Sequence, residues 1–185
     1  MKTVLILVGV VAVVGLFLFS SYNSLVTARE GVDSQWAQVE SQYQRRFDLI
    51  PNLVESVKGV MTQEQTIFGD IAEARTRYSG AVTTGEKAAA ASEVESVLGR
   101  LLVIMENYPQ LRTSETVQTL MAQLEGTENR ISVERQRYNE TVRDYNLKTK
   151  RIPGAWVAAL FGFEEEQYFE AAAGSETAPA VDLTL

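Results

Sequence analysis

The chain contains no cysteine and no histidine. Together these absences remove disulfides, thiol nucleophiles, zinc–thiolate sites and imidazole acid–base chemistry. They leave the redox compartment open, because a chain without thiols suits either side of a membrane. Lys and Arg are missing from residues 164–185, which hold Glu164, Glu165, Glu166, Glu170, Glu176 and Asp182. Setting those six acids aside takes the formal net charge from −7 to −1. The body is therefore near neutral and the acidity belongs to the C-terminal end. A basic stripe is absent as well, so nucleic acid is not an expected partner.

What is present fits a single domain of ordinary size, 185 residues with 45% apolar content. Residues 4–19, VLILVGVVAVVGLFLF, are uncharged and almost wholly apolar. With their neighbours they approach the roughly 20 residues that cross a hydrocarbon core. A cleaved signal peptide is the competing reading, with Lys2 as its short basic start. Cleavage wants small residues at −3 and −1, and a cut after Ser20 or Ser21 puts Leu18 or Phe19 at −3. An uncleaved anchor over 1–21 is the expectation, and without cysteine there is no site for lipoprotein acylation. Lys2 and the α-amino group precede the span, and Arg29 alone follows it before Arg45. The positive-inside bias therefore leans toward a single-pass protein with its N-terminus in the cytoplasm and its body outside, and a cytoplasmic body is not excluded.

From Tyr22 onward apolar residues recur at alternating steps of three and four. Leu25, Val32, Val39, Leu53, Val60, Ile67 and Ala74 form one heptad row. Tyr22, Trp36, Tyr43, Ile50, Val57, Ile71 and Tyr78 form the other. Such a stripe is a coiled-coil or bundle seam, and it predicts one helix over 22–79 that continues the anchor. Pro51 lies within it, so a bend is expected there without a change of phase. Arg29, Arg46 and Glu64 interrupt the rows; such residues either snorkel to the edge or fix register and partner.

A Gly/Ser/Thr loop over 78–87 leads to a second helix over about 86–107, which Pro109 closes. A third helix follows over about 113–152, with Val117, Leu124, Ile131, Tyr138, Tyr145 and Ile152 at seven-residue spacing. Its central part is polar, and Glu128, Glu134 and Arg135 lie close to the apolar stripe. An antiparallel return brings that stretch toward Arg45 and Arg46. A polar layer linking Arg45 or Arg46 to Glu128 or Glu134 is therefore expected, next to Asp48, Pro51 and Asn52. The closing segment, 153–170, carries Trp156, Leu160, Phe161 and Phe163. It either caps the open end of the bundle or contacts the lipid interface, where Trp is favoured. Glutamates facing anionic lipid weigh against the second reading. Residues 171–185 have the composition of an acidic, disordered tail.

These stretches carry a resemblance. YNSLVTAREGVDSQWAQVESQYQRRFDLIPNLVESVKG, EGTENRISVERQRYN, VRDYN and LFGFEEEQYFE occur in order and resemble the LemA family of bacteria. The resemblance covers the chain from the anchor to about Glu170. It implies an all-α fold, an N-terminal transmembrane helix continuous with a long helix in an antiparallel bundle. A relative in magnetotactic bacteria is linked to formation of the magnetosome membrane, which implies work on membranes rather than catalysis. Two departures stand out: Gly126 where the family often carries Asn, and the glutamate-rich start of the closing motif.

The expected function is a non-enzymatic membrane-anchored scaffold that forms homo-oligomers and organises or shapes the bilayer. The alternative is a membrane-tethered adaptor or sensor that presents the bundle to a protein partner. No catalytic, metal or cofactor residues are expected. Di-metal bundles need Glu-x-x-His pairs, and no phosphate loop or G-x-S-x-G is present.

Overall fold

A computed structural model describes residues 1–169. Among the described residues there are helices and no strands: α1 (Lys2–Lys58), α2 (Gln65–Gly80), α3 (Thr84–Met105), α4 (Pro109–Arg112), α5 (Glu115–Lys150) and α6 (Gly154–Phe161). The fold is all-α. The acidic tail expected over 171–185 lies outside the described residues.

The first helix differs from the expectation of one element over 22–79. Pro51 lies inside α1, and the chain leaves the helix only after Lys58. Gly59 follows, and the amide of Met61 donates to the carbonyl of Val57 at 2.9 Å. That bond closes the last turn, and a glycine here costs helix propensity. Helix resumes at Gln65, and its apolar residues return in the same heptad phase although six non-helical residues intervene. Period alone could not reveal this break. At Pro109, where the second helix was expected to end, the chain also begins the short α4 with proline in its first turn, the position where a missing N–H matters least.

The helices form two compact units, each containing part of α1 and part of α5. One comprises Met1–Ser41 and Arg130–Tyr168. In it Leu25, Val32, Trp36 and Val39 of α1 are buried with Ile131, Tyr138, Val142 and Tyr145 of α5. The two stretches run antiparallel. Gln35 donates to Glu134 at 2.7 Å, the rings of Trp36 and Tyr138 meet edge to face at 5.2 Å, and Gly31 faces Thr141. Val157 and Ala158 of α6 complete this core.

The other unit comprises Gln42–Asn129 and continues from Phe169. Here α2 and α3 form an antiparallel hairpin tied by Arg77–Glu93 at 2.7 Å and Asp70–Arg100 at 3.1 Å. Thr83 caps α3: its hydroxyl accepts from the Glu86 amide at 3.2 Å, while the Glu86 carboxylate accepts from the Thr83 amide at 3.0 Å. This reciprocal box satisfies donors that the first turn leaves open. Tyr43, Phe47 and Tyr78 cluster with ring centroids 4.5–5.9 Å apart. Ile50, Leu53, Val57, Met61 and Leu101 fill the aliphatic part of the core.

Candidate functional site

In the unit of Gln42–Asn129, Arg46 is buried at 8% exposure. It does not snorkel to the edge of the seam. Its guanidinium donates to Glu128 of α5 and lies 3.6 Å from Glu95 of α3. The Tyr43 hydroxyl also donates to Glu95, at 3.4 Å. Three helices thus meet at one charge cluster. The Arg46 Nε–H finds no acceptor among the described residues. Buried charge of this kind costs desolvation, which good pairing roughly offsets, so the cluster adds little net stability.

The other residues expected in the polar layer lie elsewhere. Arg45, Pro51 and Asn52 are exposed, and the Asn52 carbonyl accepts from Ser56 one turn on at 2.7 Å. Asp48 accepts from Gln44 on its own helix at 2.9 Å. Glu134 accepts from Gln35 and Arg137 within the first unit, and Arg135 is half-buried on the same stretch of α5. Glu95 was absent from the expected set. The apolar spacing of the second helix does not point to Glu95, because a single glutamate on a helix carries no spacing signal.

Beside the Arg46–Glu128 pair a half-open groove of about 820 Å³ runs along the α3 terminus, α4 and the start of α5. Leu102, Met105, Leu111, Val117, Met121 and Leu124 make it mainly apolar, and Arg112, Glu106 and Glu125 bring charge to it. Among the described residues no three acidic groups gather as they would around a metal ion.

The unit of Met1–Ser41 and Arg130–Tyr168 carries a second set of features. Residues 4–19 form the only described helical stretch long and apolar enough to cross a membrane, and none of it is buried. Each large aliphatic left in water forgoes about 1.5–3 kcal/mol. A soluble core helix would bury these side chains. At the far end of this stretch the α5 terminus and α6 pack against α1. Phe17, Ser20, Ser21 and Leu25 share a cavity of about 470 Å³ with Leu147, Arg151 and Pro153. Gly154 starts α6 so close to α5 that a Cβ there would overlap the Lys148 carbonyl.

Past α6 the chain runs extended along α5, held mainly through its backbone. Tyr138 donates to the carbonyl of Gln167 at 3.1 Å and Tyr145 to that of Glu164 at 2.8 Å. Asn146 makes a double bond-pair with Glu166, donating to its carbonyl and accepting from its amide, both at 2.9 Å. Burial pushes the Tyr145 phenol above its ordinary pKa, which keeps it protonated as a donor. Of the nearby acids, Glu166 faces Arg29 at 3.6 Å and Glu165 pairs with Lys150 at 2.7 Å. Of the four residues expected at an interface, Trp156, Leu160 and Phe161 are exposed. Phe163 is half-buried against Tyr22 at 5.6 Å.

An exposed apolar helix of membrane length, joined to helical units without a metal cluster among the described residues, defines a membrane-associated helical protein. The model of the LemA family matches residues 35–183, and the chain belongs to that family. It is similar to Magnetosome protein MamQ 2 and Magnetosome protein MamQ 1 of Paramagnetospirillum magneticum. It is 26% identical to each over 201 residues, covering 94% of this chain and 74% of theirs. It is also similar to Magnetosome protein MamQ of Magnetospirillum gryphiswaldense, 25% identical over 189 residues, 86% of this chain and 68% of that one.

Proposed function

We propose that the protein is a non-enzymatic, membrane-anchored scaffold. Its first helix spans the bacterial inner membrane once, and its helical body, on the extracytoplasmic side, self-assembles and so organises or shapes the bilayer. The observation that carries this reading is the exposure of all large apolar side chains from Val4 to Phe17 on a helix that runs directly into a folded core. Such a helix delivers the core to a membrane surface. Self-assembly is supported by the half-open groove, whose mainly apolar walls leave room for a side chain from a second copy. The non-enzymatic part is supported by how the charged groups are used: Arg46, Glu95 and Glu128 are directed at one another. The similar magnetosome proteins are named for an organelle rather than for a reaction, which agrees with a structural role.

Imaging of the full-length protein in native membranes without detergent tests the proposal. Clusters of defined size are expected, and isolated monomers at native abundance overturn it.

The same groove favours a second reading, an adaptor that receives an amphipathic helix from a protein partner. Met121→Glu, on the half-buried wall of the groove, separates the two. A scaffold loses its clusters, whereas an adaptor is monomeric with or without the substitution.

A further inference from the structure

The helix α6, GAWVAALF, is apolar on every side. An all-round apolar helix is normally enclosed. Val157 and Ala158 are enclosed by the rest of the first unit, but Trp156 is 62% exposed, Leu160 71% and Phe161 56%. Ile152, just before α6, is exposed as well. This face therefore lacks a cover.

Its position indicates what covers it. The ring of Phe161 lies 4.9 Å from that of Tyr22, three residues past the end of the apolar stretch 4–19. Arg151, Ile152 and Pro153 share a cavity with Phe17, Ser20 and Ser21. The uncovered face thus sits at the level where a span leaves the hydrocarbon, the depth that Trp and other amphipathic rings prefer. Charge agrees. Lys148 and Arg151 are exposed beside it and form no ion pair with a described residue. The glutamates that would repel anionic lipid are partly neutralised, Glu165 by Lys150 and Glu166 by Arg29.

We infer that α6 is an interfacial foot: Trp156, Leu160 and Phe161 enter the bilayer at the carbonyl and headgroup level, and Lys148 and Arg151 bind lipid phosphates. This rests on the reading of residues 4–19 as a span. With its second foothold the protein meets the membrane along a surface rather than at one helix, which fixes how the body stands on the bilayer.

The chain has two tryptophans, and Trp36 is buried while Trp156 is not. Full-length Trp36→Phe therefore reports from Trp156 alone. In vesicles of phosphatidylglycerol and phosphatidylcholine brominated near the headgroup, its emission should fall by more than half and resist aqueous acrylamide. Neutralising Lys148→Gln and Arg151→Gln together should weaken that quenching, and an unchanged value overturns the headgroup contact. A fluorophore on Val11→Cys tests the span separately. If that probe lies deep while Trp156 is quenched by acrylamide and not by bromine, the foot is overturned and the span stands. Protection of Trp156 from both quenchers means a protein cover and also overturns it.

Discussion

In the unit of Met1–Ser41 and Arg130–Tyr168 the buried Tyr138, Tyr145 and Asn146 are directed at backbone atoms, whereas in the unit of Gln42–Asn129 the buried Arg46 is directed at other side chains. In the first, Tyr138, Tyr145 and Asn146 hold an extended stretch by its amides and carbonyls. In the second, Arg46 is balanced between two glutamates that remain partly in water, with side chains 23% and 45% exposed. Neutral bonds to backbone leave no charge to compensate and are lost one at a time. A charge cluster couples three helices, and its outer members rehydrate when a partner leaves. The first unit thus holds one path of the chain by its backbone, and the other joins three helices at a charge cluster beside an open groove.

The largest expected effect strikes the first unit alone. Gly154→Ala forces the start of α6 away from the Lys148 carbonyl, costing about 3 kcal/mol, the upper end of the ordinary range for single substitutions. Hydrogen exchange should quicken in α6 while the α2–α3 hairpin keeps its protection. Next, Asn146→Ala removes two hydrogen bonds from Glu166. At about 1 kcal/mol each, the loss is about 2 kcal/mol. Proteolysis near Glu166 should accelerate without change at Arg46.

A smaller cost is expected from Arg46→Met, about 1 kcal/mol, because Glu95 and Glu128 regain water and the apolar replacement fills the space. A melting temperature lowered as far as by Gly154→Ala would break the comparison.

The smallest effects come from pH. Burial raises the Tyr145 pKa, so the folded state holds that proton more tightly than the unfolded chain. Its contribution is intact below the ordinary tyrosine pKa of about 10 and is lost as pH rises beyond it. Backbone N–H groups of Thr83 and Val82 lower the Glu86 pKa. Its contribution is present above the usual carboxylate range and is lost as pH falls through that range. Melting followed in each unit should show the first weakening in alkali and the second in acid.

Much of this architecture was legible in the sequence because buried apolar residues keep a helical period. The rows through Leu25, Val32 and Val39, and through Trp36, Tyr43 and Ile50, are the rows that the core contains. The break after Lys58 was not legible, since Ile67 and Ile71 resume the same phase across it. The helix runs through Pro51 as one element, as the unbroken phase implied; a proline on an exposed face is carried by a long helix packed on its other side. For the polar layer the sequence left four pairings open, and the structure contains Arg46 with Glu128. The choice depends on where the returning helix stops, which residue type does not record. The Asn146 bonds were invisible for another reason. Their partners are main-chain atoms, which every residue has.

That last property reaches into the history of the chain. A hold on main-chain atoms fixes a route without specifying its letters. Residues 164–167, EEEQ, can therefore change composition while Tyr138, Tyr145 and Asn146 go on gripping the same ribbon. The glutamate-rich start of this segment, a departure from the family pattern, leaves those main-chain bonds in place; substitution there alters surface charge and the pairs Glu165–Lys150 and Glu166–Arg29.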